Sequence, residues 1–347
     1  MFDVSEFEIR VLKPDQIITE PGFYQMPLDR HHSQPCDGPS VTSGVLRKME
    51  LDCPAVVWER HLLNPNRTEM KQTDALRFGR IMAAYIEHGP EGVEDHVLVT
   101  RSGPPSLPVT EMIQLVEDGH TFTKAPPNRP SAEAVKRYVE GTATPAMAKA
   151  VEYHLELEKD PREKISENDW EMICAMGKAL ANNPDATAAM DGTPEISMAW
   201  QDEATGLWCL ARPDTVSFSG MTTDYKKMSS MGREFNARLV DSRITIHGYD
   251  MQGGFACEGF EQLTGHWPLF GIIAQHDVAP FSAIVREIPD EDLKIGKFRN
   301  HRALRRFREC LDSGHWPGPG ENIGAYQRPN WQRERLLEEM NNAGEAP

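Results

Sequence analysis

The sequence predicts an α/β (α+β) fold: a central mixed β-sheet flanked by helices, with a helical N-terminal half. Three patterns predict it. From Glu195 to Lys226, polar and apolar residues alternate in short runs broken by turn formers, the period of half-buried strands. The run from Leu269 to Ala274 is continuously apolar, as expected of a strand covered on both faces. Around these runs, residues 131–183, 233–263 and 290–311 carry apolar side chains at helical spacing. Helices, three strands, two helices, two strands and a last helix make a sheet with helices packed on it.

Taken in order, residues 1–40 are rich in turn formers (Pro21-Gly22, Pro35-Cys36-Asp37-Gly38-Pro39) and read as an irregular arm. A helix starts at Thr42 or Ser43, where a hydroxyl can cap it, and stops at Pro54. A second begins near Asp74, carries Leu76, Ile81, Ala84 and Tyr85 at helical spacing, and ends near His88-Gly89-Pro90. The proline-rich stretch 99–130 reads as a surface loop. Ser131, Thr144-Pro145 and Ser166 each open a helical segment in the following fifty residues. Strands are then expected from Glu195 to Trp200, Leu207 to Ala211 with Thr215 to Phe218 as its extension, and Thr222 to Lys226. Helices follow at about 233–240 and 247–263, strands at 269–274 and 281–286, and a final helix at 290–311. This divides the chain into an arm (1–40), a helical part (41–190), a sheet-bearing core (191–315) and a C-terminal tail (316–347).

Composition narrows the class. With 347 residues, 39% hydrophobic and 26% charged, the chain is long enough for one large or two small globular domains. The longest apolar stretch, Trp267 to Ala274, is far short of the ~20 residues of a membrane span, so no membrane partner is expected. Acidic residues among the first twenty leave no apolar segment for an export signal. Six cysteines are scattered without a CxxC pair, which argues against zinc-ribbon or iron–sulfur ligation. They read as reduced, buried thiols of a cytoplasmic protein. The net charge of −16 disfavours a nucleic-acid partner on average, but carboxylates that hold a metal and a local basic stripe are compatible with it.

Chemistry concentrates in the alternating strands. Residues two apart on a strand share a face, so Asp224 and Lys226 point together. A hairpin brings Asp214 alongside Asp224. Two carboxylates on one face, with the Tyr225 carbonyl nearby, form an oxygen site suited to Mg²⁺ or Mn²⁺. A lysine beside them can orient water or offset phosphoryl charge. A bare Asp-x-Lys is common as a surface salt bridge; the preceding Asp ten residues back and the helix that follows sharpen the pattern.

Residues 195–252 resemble the core of PD-(D/E)XK nucleases, closest to the exonuclease VIII (RecE-type) group of phages and prophages. The matching residues are Asp214 within Arg212-Pro213-Asp214, Asp224 with Lys226, Tyr249 with Gln252 in a Tyr-x-x-Gln, and Glu195. Upstream, Ser43 to Leu46, Cys53-Pro54-Ala55 and Ala75-Leu76-Arg77-Phe78-Gly79-Arg80 look like the group's opening helix, Ser-Pro-Ala turn and Ala-Leu-Arg-Phe-Gly-Arg helix. The resemblance covers roughly residues 40–310. It implies a restriction-endonuclease-like core and a metal-dependent exodeoxyribonuclease acting on duplex ends. It further implies 5′-to-3′ digestion in phage-type recombination, a single-strand annealing partner and a ring-like homo-oligomer. In this reading Asp214, Asp224 and Glu195 hold the metal with the Tyr225 carbonyl, and Lys226 assists the nucleophile. Tyr249 and Gln252 contact the DNA end, with Arg212 beside them.

Two departures stand out. The group usually places a metal-binding histidine where this chain has Ala83; Glu87, one turn on, offers an oxygen from the same face. Lys227 stands where threonine is usual. Among basic residues, Arg77 and Arg80 are candidates for a terminal 5′-phosphate. Arg299, Arg302 and Arg306 share a face of the last helix as a phosphate-contacting stripe, in a run of seven basic residues and no acid from Lys294 to Arg308. The alternatives are a DNA-binding relative that has lost its chemistry, for which Ala83 speaks, and a structure-specific endonuclease on the same site.

Overall fold

The computed structural model describes residues 8–68, 73–101, 103–105, 107–120, 130–217, 220–321 and 329–342. Its N-terminal part runs β1 (Ile9–Val11), β2 (Gly22–Gln25), α1 (Leu28–His31), β3 (Ser40–Thr42), α2 (Ser43–Leu51) and α3 (Pro54–Trp58). Next come α4 (Asp74–Val93), β4 (Val97–Thr100), α5 (Val109–Glu117), α6 (Ala132–Val139), α7 (Pro145–Lys159), β5 (Glu163–Ser166), α8 (Glu167–Ala181) and α9 (Pro184–Ala189). The remainder is β6 (Thr193–Pro194), β7 (Ser197–Gln201), β8 (Trp208–Ala211), β9 (Thr215–Val216), β10 (Met221–Met228), α10 (Ala237–His247), α11 (Tyr249–Thr264), β11 (Leu269–His276), β12 (Ala283–Glu287), α12 (Asp290–Ser313) and α13 (Asn330–Asn342).

Two mixed five-stranded sheets carry the structure, ordered β1-β2-β7-β8-β3 and β12-β11-β10-β9-β6. In the second, β10 runs parallel to β11 over its whole length and antiparallel to β9. The parallel pair requires a crossover, which α10 and α11 supply. β11 is buried over nearly its full length, in accord with its continuous apolar run. α11 lies against β7 and β8 of one sheet and β11 of the other. Met198, Trp200, Phe255, Phe260, Phe270 and Ile272 therefore share one core.

Ser131, Thr144 and Ser166 cap their helices as expected, each accepting a hydrogen bond from the amide three residues on, and Thr73 does the same before α4; Thr42 precedes α2 but makes no side-chain cap. The stop at His88-Gly89-Pro90 is a kink: Gly89 has φ +71°, and helical structure resumes to Val93. The Gly253-Gly254 pair does not break α11. A β-carbon on Gly253 would meet Phe270 and Leu293, and one on Gly254 would meet the α12 backbone at Leu293 and Lys297. The glycines let α11 touch both its sheet and α12.

Two expectations are corrected. Residues 8–42 are not an irregular arm but supply β1, β2 and β3, with β1 pairing with β2, β2 with β7 and β3 with β8; they bury Phe23 and Tyr24, and are too short to show alternation. The stretch 99–130 contains α5, whose Val109 and Met112 are buried with α6 and α7. β4 and β5 form an unforeseen parallel pair between helices. In the tail, Trp316 stacks on Trp58 at 4.5 Å between ring centres, and α13 follows it with Trp331 exposed. The six cysteines form no disulfide. Among the described residues no helix is long and apolar enough to cross a membrane.

Candidate active site

β10 delivers the central pair. Thr222, Asp224 and Lys226 leave one face of the strand, Thr223 and Tyr225 the other. Asp224 is 2% exposed, and the Lys226 ammonium lies 2.6 Å from its Oδ2. The contact is a charge-assisted ion pair between a buried carboxylate and its lysine. The register Thr223↔Thr215 sets Asp214 beside Asp224 across the ladder. Asp214 is fixed by the Tyr225 amide, which donates to its Oδ2 at 2.6 Å. Tyr225 is anchored behind the sheet, donating its hydroxyl to Gln275 at 2.7 Å; Gln275 donates in turn to the Met176 and Phe281 carbonyls.

The electrostatics follow from crowding acids in a dry place. Burial, and then the charge of Asp224, holds the Asp214 carboxyl well above the usual carboxylate range; Lys226 offsets this only in part. For Lys226, burial pulls the ammonium down, but Asp224 and Asp214 outweigh it and leave its pKa raised. The cluster is thus short of positive charge even with its lysine protonated, and its donors are hard oxygens. The residues fit a divalent cation such as Mg²⁺ or Mn²⁺ held by Asp214 and Asp224. Among the described residues, no three His, Cys, Asp or Glu side chains stand together as a ready-made metal cage.

Glu195 approaches this cluster from the strand connection. Its amide donates to the Asp214 carbonyl at 3.1 Å, and both residues line a cavity of about 580 Å³ with Ala83, Glu87, Thr223 and Tyr225. Its carboxylate is taken up by Arg212 Nε, while Arg212 Nη1 donates to the Met26 carbonyl at 2.6 Å. Arg212 is therefore turned inward rather than toward a substrate. Ala83 offers this cavity no ligand atom.

Tyr249 opens α11 directly after Gly248, whose φ of +64° turns the chain between α10 and α11. Its ring lies 5.4 Å from Lys226 Nζ and 5.5 Å from the Arg47 guanidinium. One turn on, the Gln252 side-chain oxygen is buried without a hydrogen-bond partner. Neither Arg47, which comes from α2 some 200 residues away, nor Gln275 was foreseen from sequence. Both are ordinary polar residues in strongly patterned elements.

The other basic candidates are engaged elsewhere. Arg77 pairs with Asp74 at 2.6 Å, and Arg80 with Glu163 of β5 at 2.5 Å. Lys227 stacks over Phe78 at 4.2 Å, tying α4 to the strand of Asp224. On the α12 stripe, Arg299 bonds Asp250 at 2.8 Å, Arg302 Nε bonds Glu50 at 3.1 Å and Arg306 reaches the Met49 carbonyl at 3.4 Å. These arginines contact α2 and α11, with the Arg302 side chain still more than half exposed.

No curated protein matches the chain significantly. A crystal structure from Eubacterium rectale, of a protein provisionally described as an exonuclease, superposes with a TM-score of 0.54. The identity is 12%, and the match covers 89% of this chain and 98% of that one, so it speaks to fold. The sequence profile of a family described as a PDDEXK-like domain of unknown function (DUF3799) matches residues 46–329, which include every member of the Asp214–Asp224–Lys226 cluster. The chain belongs to this PDDEXK-like family.

Proposed function

We propose that the protein is a divalent-metal-dependent deoxyribonuclease that hydrolyses phosphodiester bonds from the ends of duplex DNA. The observation that carries this reading is the pairing of Asp224 and Lys226 on one strand face with Asp214 alongside. Asp214 and Asp224 hold Mg²⁺ or Mn²⁺, with Glu195 and the Tyr225 carbonyl as further oxygens. A bound dication supplies Lewis-acid stabilisation of charge on the scissile phosphate. Lys226 keeps its proton, because two acids face it, and orients the attacking water or offsets charge on a phosphoryl oxygen. Tyr249 holds the lysine in place through its ring face. Gln252, one turn away on α11, contacts the substrate.

The finer reading is an exonuclease of the exonuclease VIII (RecE) type, working in phage-type recombination in the cytoplasm with a single-strand annealing protein and as a homo-oligomer. The similarity of Arg212-Pro213-Asp214, Asp224-Tyr225-Lys226 and Tyr249-x-x-Gln252 to that group supports it. Arg77 and Arg80 remain its candidates for a 5′-phosphate, which would have to displace Glu163. Ala83, which brings no ligand atom to the cavity, favours a second reading: a DNA-binding relative without hydrolysis. A structure-specific endonuclease is the third.

Digestion of 5′-phosphorylated linear duplex in Mg²⁺ and Mn²⁺, with covalently closed circles alongside, separates the three. Loss of linear DNA alone supports the exonuclease; opening of circles identifies an endonuclease. Binding that persists in EDTA, with no cleavage in either metal, identifies the inactive relative.

A further inference from the structure

Glu195 has an uncommon backbone. Its φ is +56°, the left-handed region that a residue with a β-carbon rarely occupies. Such conformations persist where surrounding contacts over-determine them, and they gather at functional sites. Here the contacts are the Glu195 amide on the Asp214 carbonyl and the Glu195 carboxylate on Arg212. The Arg212 side chain is 10% exposed. Its second arm is fixed by the Met26 carbonyl, at the end of β2, which pairs with β7. Farther along the same segment, His31 Nδ1 lies 2.9 Å from Ser197 Oγ on β7. The first strands of the chain thus fix the guanidinium fork, and the fork fixes Glu195.

Asp214 is held by the Tyr225 amide and Asp224 faces the Lys226 ammonium. The Glu195 carboxylate is engaged by another cation of the protein's own, Arg212.

We propose that Arg212 is a positioning residue that sets the affinity of the site for a divalent cation, by holding Glu195 in the cation-free protein and competing with the cation for that carboxylate. The inference rests on the metal-dependent reading above. Its physics is direct. A carboxylate oxygen bonded to a guanidinium coordinates a metal weakly, because the two cations compete for the same lone pairs. Arg212 therefore keeps the site from closing permanently on a metal, and residues 8–42, far from the chemistry in sequence, are part of what tunes it.

The test is calorimetric titration of Mn²⁺, and of Ca²⁺, into the full chain without DNA. Glu195→Gln is expected to weaken binding about tenfold, and Arg212→Gln to tighten it about tenfold, within the range of outer-sphere effects on metal sites. Arg212→Lys, which keeps the charge but not the fork, falls between wild type and Arg212→Gln. The double variant binds no tighter than Glu195→Gln alone, because the competition is for that one carboxylate. Weakened or unchanged binding in both Arg212 variants, or tightening that survives removal of Glu195, overturns the proposal while leaving the metal site standing. Absence of any cation binding by wild type overturns both.

Discussion

The Lys226 ammonium stands 2.6 Å from Oδ2 of Asp224, two residues away on the same face of β10, with Asp214 alongside across the ladder. One lysine thus faces two carboxylates, and the cluster stays acidic.

Asp214 destabilises the cation-free protein when ionised. Its folded pKa is raised, by burial first and then by Asp224, so its stabilising contribution is present below the ordinary carboxylate pKa and is lost as pH rises through the raised value. In EDTA the melting temperature should fall as pH rises through that range. Asp214→Asn should remove this slope and raise the melting temperature at alkaline pH by a few degrees, roughly 1–2 kcal/mol. Thermal melts of both proteins across pH check this.

Tyr249 contributes a ring face rather than a hydroxyl to Lys226. Tyr249→Phe should keep most activity, and Tyr249→Ala should lose roughly 3–30-fold, the worth of a partly desolvated cation–π contact of about 0.7–2 kcal/mol. Steady-state cleavage of linear duplex by the two variants decides it; equal losses would point to the hydroxyl.

We propose that Arg299 and Arg302 on α12 serve stability, and the variants separate this from a phosphate-contacting role. Arg299→Ala leaves Asp250 and the nearly buried Glu50 short of a partner and should cost about 1–3 kcal/mol. Arg302→Ala, at an exposed and solvent-screened side chain, should cost less than Arg299→Ala. Urea melts give both values. Neither variant should reduce the salt slope of DNA binding by the ~1 expected for a lost phosphate contact.

His61 is packed between Trp58 and Phe307, and burial lowers its pKa from 6.5 to about 4. A depressed histidine stabilises the fold fully above its unfolded pKa and loses that contribution as pH falls through the folded one. Between those limits the wild type should lose about 3 kcal/mol that His61→Gln does not lose. Paired denaturant titrations at pH 7 and 4 measure the difference.

Much of this site was legible in sequence because its parts are local. Asp224 and Lys226 lie two apart on a strand, Asp214 precedes them by one hairpin, and Tyr249 and Gln252 are one turn apart. Strand and helix periods place such pairs without knowledge of the fold. The structural surroundings were not legible, because they are non-local. Residues 8–42 form strands only because β7 and β8 are there to pair with. Arg212 looked like a substrate contact until Met26 and Glu195 were seen at its two ends. The α12 arginines share a helical face as the spacing says, but which way that face turns is decided by Glu50 and Asp250 on other helices.

The central claim is that Asp214, Asp224 and Lys226 form a hydrolytic centre. The most direct measurement is cleavage of 5′-phosphorylated linear duplex in Mg²⁺ and Mn²⁺ by wild type, Asp224→Asn and Lys226→Ala, with circular dichroism confirming that all three are folded. The account predicts cleavage by wild type and a loss of at least about 10²-fold in each variant. Full activity in a folded Lys226→Ala protein, or no cleavage by wild type in either metal, would contradict it.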